Sequence, residues 1–227
     1  MENPYFLPEE IEKQSMEVIE KELAVRGVVL TPEKEAVLKR IIFATADFDY
    51  IDNLFFSDYA IEKARKLLRS GANIVTDSMM VQAGIHKKAA AMLGVRVYCF
   101  QEHQGIAVDA KNRNVSKCTI GMEYGSRLAG ETIFVVGNAP TALWSLYYMI
   151  LKNKIQPALI IAAPAGLVSA QEAKEQIIAT KTPCIAVRGC KGGCNVATAI
   201  CNMLLRDALQ FKNNDSVRKM EIDDDSL

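Results

Sequence analysis

The sequence predicts a single α/β domain built on a doubly wound, mainly parallel sheet of about five strands. Short apolar runs at Asn73–Asp77, Val95–Phe100, Ile133–Val136, Pro157–Ala163 and Pro183–Arg188 alternate with helix-period segments, the pattern of a parallel sheet covered on both faces. Two of these runs lead through glycine turns straight into helices: Ile133-Phe-Val-Val-Gly-Asn-Ala-Pro-Thr-Ala-Leu-Trp144, and Pro183–Arg188 followed by Gly189-Cys-Lys-Gly-Gly-Cys-Asn195. A chain of 227 residues, 50% of them hydrophobic, is long enough for one large core.

The first helix starts at Leu7-Pro8-Glu9-Glu10 and runs to about Ala24, with Ile11, Ser15, Val18, Ile19 and Leu23 near one face. Thr31-Pro32-Glu33 is a second N-cap signal. The helix behind it carries Val37, Arg40, Ile41, Phe43 and Ala44, and Arg40 and Phe43, three apart, meet on one surface. Ala46 to Ser57 is dense in aromatics and receives no assignment. A helix from about Asp58 to Arg69 is closed by Gly71; the Asn73–Asp77 strand and a helix from Ser78 follow. After Val95–Phe100 comes a polar stretch through Asn114, then a helix opening at Val115-Ser-Lys-Cys.

In the Gly137 turn, Asn138 suits an N-cap and Pro140 the first helical turn, ahead of a helix over Ala142–Leu151. A helix from about Ser169 precedes the last strand, and another runs from Asn195 to about Leu209. The domain is read as 1–210, with 211–227 a charged, disordered tail. Free amides at the turns Asn138–Thr141 and Gly189–Gly193 would favour anions, so a ligand with several carboxylates fits them.

Lysine plus arginine, 27, balances aspartate plus glutamate, 27, so no global field favours nucleic acid or a membrane surface. The N-terminus lacks a signal-peptide pattern, and the apolar windows are broken by Gly137, Asn138, Pro140, Pro164 and Gly166; a cytoplasmic protein is expected. Cys190 and Cys194 form a C-x-x-x-C pair without a nearby histidine, so no metal is expected. There is no Walker A sequence and no G-x-G-x-x-G. His86 and His103 stand in polar surroundings, and Asp47 and Asp49 read as paired or capping groups.

Arg40-Ile-Ile-Phe-Ala-Thr-Ala-Asp-Phe-Asp-Tyr50, Ile74-Val-Thr-Asp-Ser-Met-Met-Val-Gln-Ala-Gly-Ile85, Gly137-Asn-Ala-Pro-Thr-Ala-Leu143 and Gly189-Cys-Lys-Gly-Gly-Cys194, in this order and spacing, resemble the precorrin-8X methylmutase family. The resemblance runs from the first helix to about Leu205. It implies a Rossmann-like domain, a homodimer with the substrate cleft near the subunit interface, and no separate cofactor. It also implies a corrinoid substrate, precorrin-8X or cobalt-precorrin-8, in which a methyl group moves within ring C to give hydrogenobyrinic acid or its cobalt form.

By the same resemblance Ser15, Arg40, Ser116, Lys117, Asn138, Ala139, Thr141, Gly192 and Gly193 are expected to contact substrate. Phe43 stands where the family has a histidine acting as general acid; phenylalanine transfers no proton, which makes Lys117 or a water the expected substitute. Ser116-Lys117-Cys118 replaces Thr-Arg-Ser, so the bidentate fork is lost. Cys194 replaces a serine, and Pro164-Ala-Gly-Leu-Val168 replaces Pro-Val-Gly-Phe-Val. A natural variant, a paralogue that binds a tetrapyrrole without isomerising it, and an engineered change all stay open for Phe43. An enzyme acting on a different polycarboxylate is a further alternative.

Overall fold

A computed structural model describes the backbone over residues 7–224 and side chains as far as residue 212. The elements run α1 (Pro8–Val25), α2 (Pro32–Thr45), α3 (Tyr50–Asn53), β1 (Leu54–Phe56), α4 (Ala60–Arg69), β2 (Asn73–Thr76), α5 (Met79–Gly84), α6 (Lys87–Met92) and β3 (Arg96–Cys99). They continue with α7 (Ile106–Asn112), α8 (Lys117–Gly125), β4 (Thr132–Val136), α9 (Pro140–Leu151), β5 (Leu159–Ala162), α10 (Ala170–Ala179), β6 (Cys184–Val187) and α11 (Cys194–Asp224).

The sheet has six strands in the order β1-β6-β5-β4-β2-β3. All neighbours are parallel except β1, which pairs antiparallel with β6 through Leu54↔Val187 and Phe56↔Ile185. The sequence reading therefore lacks one strand. Three residues inside an aromatic stretch are too few to show a period of two, and β1 is held by its partner rather than by its own pattern.

The five expected strands are all present, and helices cover both faces of the sheet. In β4, Ile133 and Val135 join the core under α2, α4 and α11, while Phe134 and Val136 join the core under α8 and α9. A strand buried on both faces is apolar at every position, which is why these runs read so clearly.

Three other boundaries differ from the sequence reading. The polar stretch before Asn114 contains α7, whose Ile106 and Ala110 bury a small cluster with Ile120. The helix opening at Ser78 breaks into α5 and α6, with the His86 ring capping the second by accepting from Ala89 N at 3.1 Å. α11 passes Leu209 and stays helical to Asp224, because no glycine or proline follows Gly193 to stop it. The tail set apart by the sequence reading, 211–227, is thus helical as far as Asp224, and 225–227 lie outside the described residues.

Candidate functional site

β3 lies on one side of β2, and β4, β5 and β6 lie on the other. The chain order therefore reverses at β2, and the crevice outside the carboxyl ends of β2 and β4 is where an open α/β sheet takes ligands. Asp77, the residue after β2, stands there. Its Oδ1 accepts from Gly137 N at 2.9 Å, and its Oδ2 from Asn138 N at 2.8 Å and Ala139 N at 2.6 Å.

The anion expected at this turn is therefore a side chain of the protein itself. The amides of Asn138 and Ala139 are not free for a ligand, because buried N–H groups must be paired in the unliganded fold. Asn138 is also not the N-cap: that position is Ala139, without a side-chain bond, and Pro140 opens α9. Burial pushes the Asp77 carboxyl above its ordinary value, opposed by the hydrogen bonds from the three amides. Sequence reasoning missed Asp77, which looks like an ordinary strand-end residue.

The glycine loop closes in the same way. Gly193 N donates to Ala163 O at 2.7 Å. A Cβ on Gly192 would stand 2.3 Å from the Ala163 carbonyl oxygen, at a φ of 146°. Gly192→Ala is expected to destabilise the fold by roughly 2–4 kcal/mol, since strain and overlap add. A thermal melt unchanged from wild type would refute this.

The Gly193 amide, expected to face substrate, is spent on the Ala163 carbonyl instead. What the loop leaves outward is the first turn of α11, where the N–H groups of Cys194 and Asn195 have no partner within the helix.

Beside the crevice, Ser116 Oγ and Thr141 Oγ1 stand 2.7 Å apart, and Ser116 also caps α8 by accepting from Thr119 N at 3.1 Å. Asn138, Thr141 and Lys117 are exposed around this pair. The structure thus brings Ser116 of the α8 start into contact with Thr141 of the β4 turn.

Ser15, Arg40 and Phe43 form a separate cluster between α1 and α2. A groove of about 380 Å³ is lined by Gln14, Ser15, Val18, Ile19, Ile42, Phe43, Ala46 and Phe48. Ser15 Oγ donates to Ile11 O at 2.6 Å. The Arg40 guanidinium lies 4.9 Å from the centre of the Phe43 ring and bonds Glu12 through Nη1 at 3.0 Å, which leaves its other N–H donors for a ligand carboxylate.

Lys191 of the glycine loop joins the two clusters. Its ammonium meets Asp47 at 2.6 Å and also Asp49, in the link that follows α2. The two aspartates pull the Lys191 pKa up to about 12 and so hold it charged. His103 is exposed, its Nδ1 2.8 Å from Gln104 O, and touches neither cluster.

Lys174 escaped the sequence reading because a lysine in a polar helix looks solvated. It is fully buried, and its Nζ donates to Pro164 O at 3.0 Å and Lys191 O at 2.8 Å. Burial pushes its pKa down to about 8, with Cys190 and Glu175 opposing.

An unfolded lysine titrates near 10.5. Between pH 8 and 10.5 the unfolded chain therefore holds a proton that the native state has released, and this residue's contribution to stability rises across that window. The rise is at most about 3 kcal/mol. The melting-point gap between wild type and Lys174→Met is expected to shift in favour of wild type from pH 8 to 10; a constant gap would contradict it.

Among the described residues no helix is long and apolar enough to cross a membrane, and no group of three or more histidine, cysteine, aspartate or glutamate residues converges on a metal position.

Known proteins share both sequence and fold with this chain. Residues 10–207 match the family model for precorrin-8X methylmutase. The cobalt-precorrin-8 methylmutase of Leptospira interrogans is 35% identical over 203 residues, covering 86% of this chain and 91% of the relative. The precorrin-8X methylmutase of Pseudomonas aeruginosa is 33% identical, covering 86% and 93%. The crystal structure of precorrin-8X methylmutase from Thermus thermophilus superposes with a TM-score of 0.78 at 29% identity, over 88% of this chain and 98% of that one. A family match over most of the chain, carried on the same fold, makes this protein a member of the precorrin-8X methylmutase family, the isomerases of cobalamin biosynthesis.

Proposed function

We propose that this chain moves a methyl group within ring C of precorrin-8X or cobalt-precorrin-8, giving hydrogenobyrinic acid or cobyrinate. The observation that carries the reading is the Lys191 bridge. It joins an apolar groove, suited to a macrocycle face, to a crevice edged by Lys117, Asn138 and Thr141, suited to peripheral carboxylates.

The migration is intramolecular, so holding ring C in a reactive geometry supplies much of the rate, and no separate cofactor enters the step. Ser15 and Arg40 meet the macrocycle at the groove. Ser116, Lys117, Asn138 and Thr141 meet its carboxylates, with the first turn of α11 adding N–H donors. A proton delivered to the ring comes from Lys117 or from water, since Phe43 has none to give. The protein acts in the cytoplasm as a homodimer; exposed Tyr148, Leu151, Leu167 and Val168 offer apolar surface for the pairing.

One observation favours a second reading. The groove lining, Gln14, Ser15, Val18, Ile19, Ile42, Phe43, Ala46 and Phe48, contains no side chain that titrates near neutral pH. That suits a corrinoid-binding paralogue without turnover.

Incubation of the purified protein with precorrin-8X, with and without cobalt, separates the readings by absorption. A hydrogenobyrinate-like spectrum supports the isomerase. A tight complex without product supports the binder. No spectral response refutes both.

A further inference from the structure

Lys174 stands outside every motif on which the family resemblance rests, yet it is a charged side chain with no exposed surface. Among the described residues it has no carboxylate partner; its two hydrogen bonds go to carbonyls of two different segments, Pro164 and Lys191. A buried ammonium without a counter-ion is costly, and an apolar residue of the same length would fill the slot at lower cost. An ammonium in this slot supplies what methionine or leucine could not: N–H donors to two carbonyls at once.

The two carbonyls locate that role. Pro164 begins the turn after β5, and Lys191 is the centre of the glycine loop. The same turn and loop are tied by Gly166 N to Cys190 O at 3.0 Å and by Gly193 N to Ala163 O at 2.7 Å. Lys191 in turn reaches Asp47 and Asp49. A continuous path therefore runs from α10 through the glycine loop to the end of α2, where the Phe43 groove begins.

We infer that Lys174 is a positioning residue, fixing the glycine loop against the Pro164 turn so that the macrocycle groove and the carboxylate crevice keep the spacing a single corrinoid must span. This rests on the corrinoid reading given above. Lys174 touches no substrate; it acts through the carbonyls of Pro164 and Lys191.

The test compares Lys174→Met with Leu68→Ala, a buried core variant in α4, a helix that contributes no residue to either cluster. Hydrogenobyrinic acid is titrated into each at pH 7, and exchange of the Gly166 and Gly193 amides is followed in the unliganded proteins. Lys174→Met is expected to bind at least tenfold more weakly than wild type and to exchange both amides at least tenfold faster. Leu68→Ala, though less stable than wild type, is expected to keep wild-type affinity.

Wild-type affinity in Lys174→Met would overturn the inference, as would an equal loss of affinity in both variants. A wild-type protein that binds no hydrogenobyrinic acid would refute the corrinoid reading and with it the role in substrate spacing. The amide exchange would still report whether Lys174 holds the loop, so the two failures are distinguishable.

Discussion

Phe43→His is expected to raise the rate of methyl migration by about 10²- to 10⁴-fold, the usual contribution of a placed general acid. The substitution puts a titratable ring into a groove whose lining has none, at the position where the family resemblance implies a histidine. The Arg40 guanidinium, 4.9 Å from the present ring centre, disfavours a second positive charge there. The gain is therefore expected to be largest on the acid side of neutrality and to fade as pH rises through the imidazole pKa.

The measurement is single-turnover conversion of precorrin-8X between pH 5 and 8. A rate that does not change at any pH would show that the proton does not enter at this position. The stability change is expected to be small, about 1 kcal/mol, because Phe43 is only half-buried and the new ring keeps much of the packing.

Asp77→Ala is expected to cost about 3–5 kcal/mol, because three backbone amides lose a carboxylate acceptor at once in a buried turn. In a chain of this size that lowers Tm by roughly 10 °C. The vacated amides of Gly137, Asn138 and Ala139 then form an empty anion site at the mouth of the crevice.

Added sulfate or acetate is expected to raise the Tm of Asp77→Ala more than that of wild type. A melt close to that of wild type would mean that the carboxylate does not hold the turn. The same result would return Asn138 and Ala139 to the list of free substrate-binding amides.

Much of the architecture was legible without coordinates. β2, β4, β5 and β6 are buried on both faces, so their sequences are apolar at nearly every position. The glycine turns after β4 and β6 announced where they end. β1 and α7 escaped because each is short and takes its order from neighbours: β1 from its antiparallel pairing with β6, α7 from packing on α8. The continuation of α11 escaped because charge density in 211–224 outweighed the absence of a helix breaker.

The site divides along the same line. Residue type and spacing by themselves pointed to the family and the two glycine turns, and the resemblance they carry named Ser15, Arg40, Ser116, Lys117 and Thr141 as candidate contacts and Phe43 as a position without a proton to give. These depend on local order along the chain, which a sequence records directly. Only the tertiary structure decided which turn amides remain available, that Asp77 fills the β4 turn, that Lys191 bridges to Asp47 and Asp49, and that Lys174 is buried beneath the loop. Each of these is a contact between residues 17 to 144 positions apart. A carboxylate or an ammonium carries no mark in the sequence of the partner that the fold will bring to it.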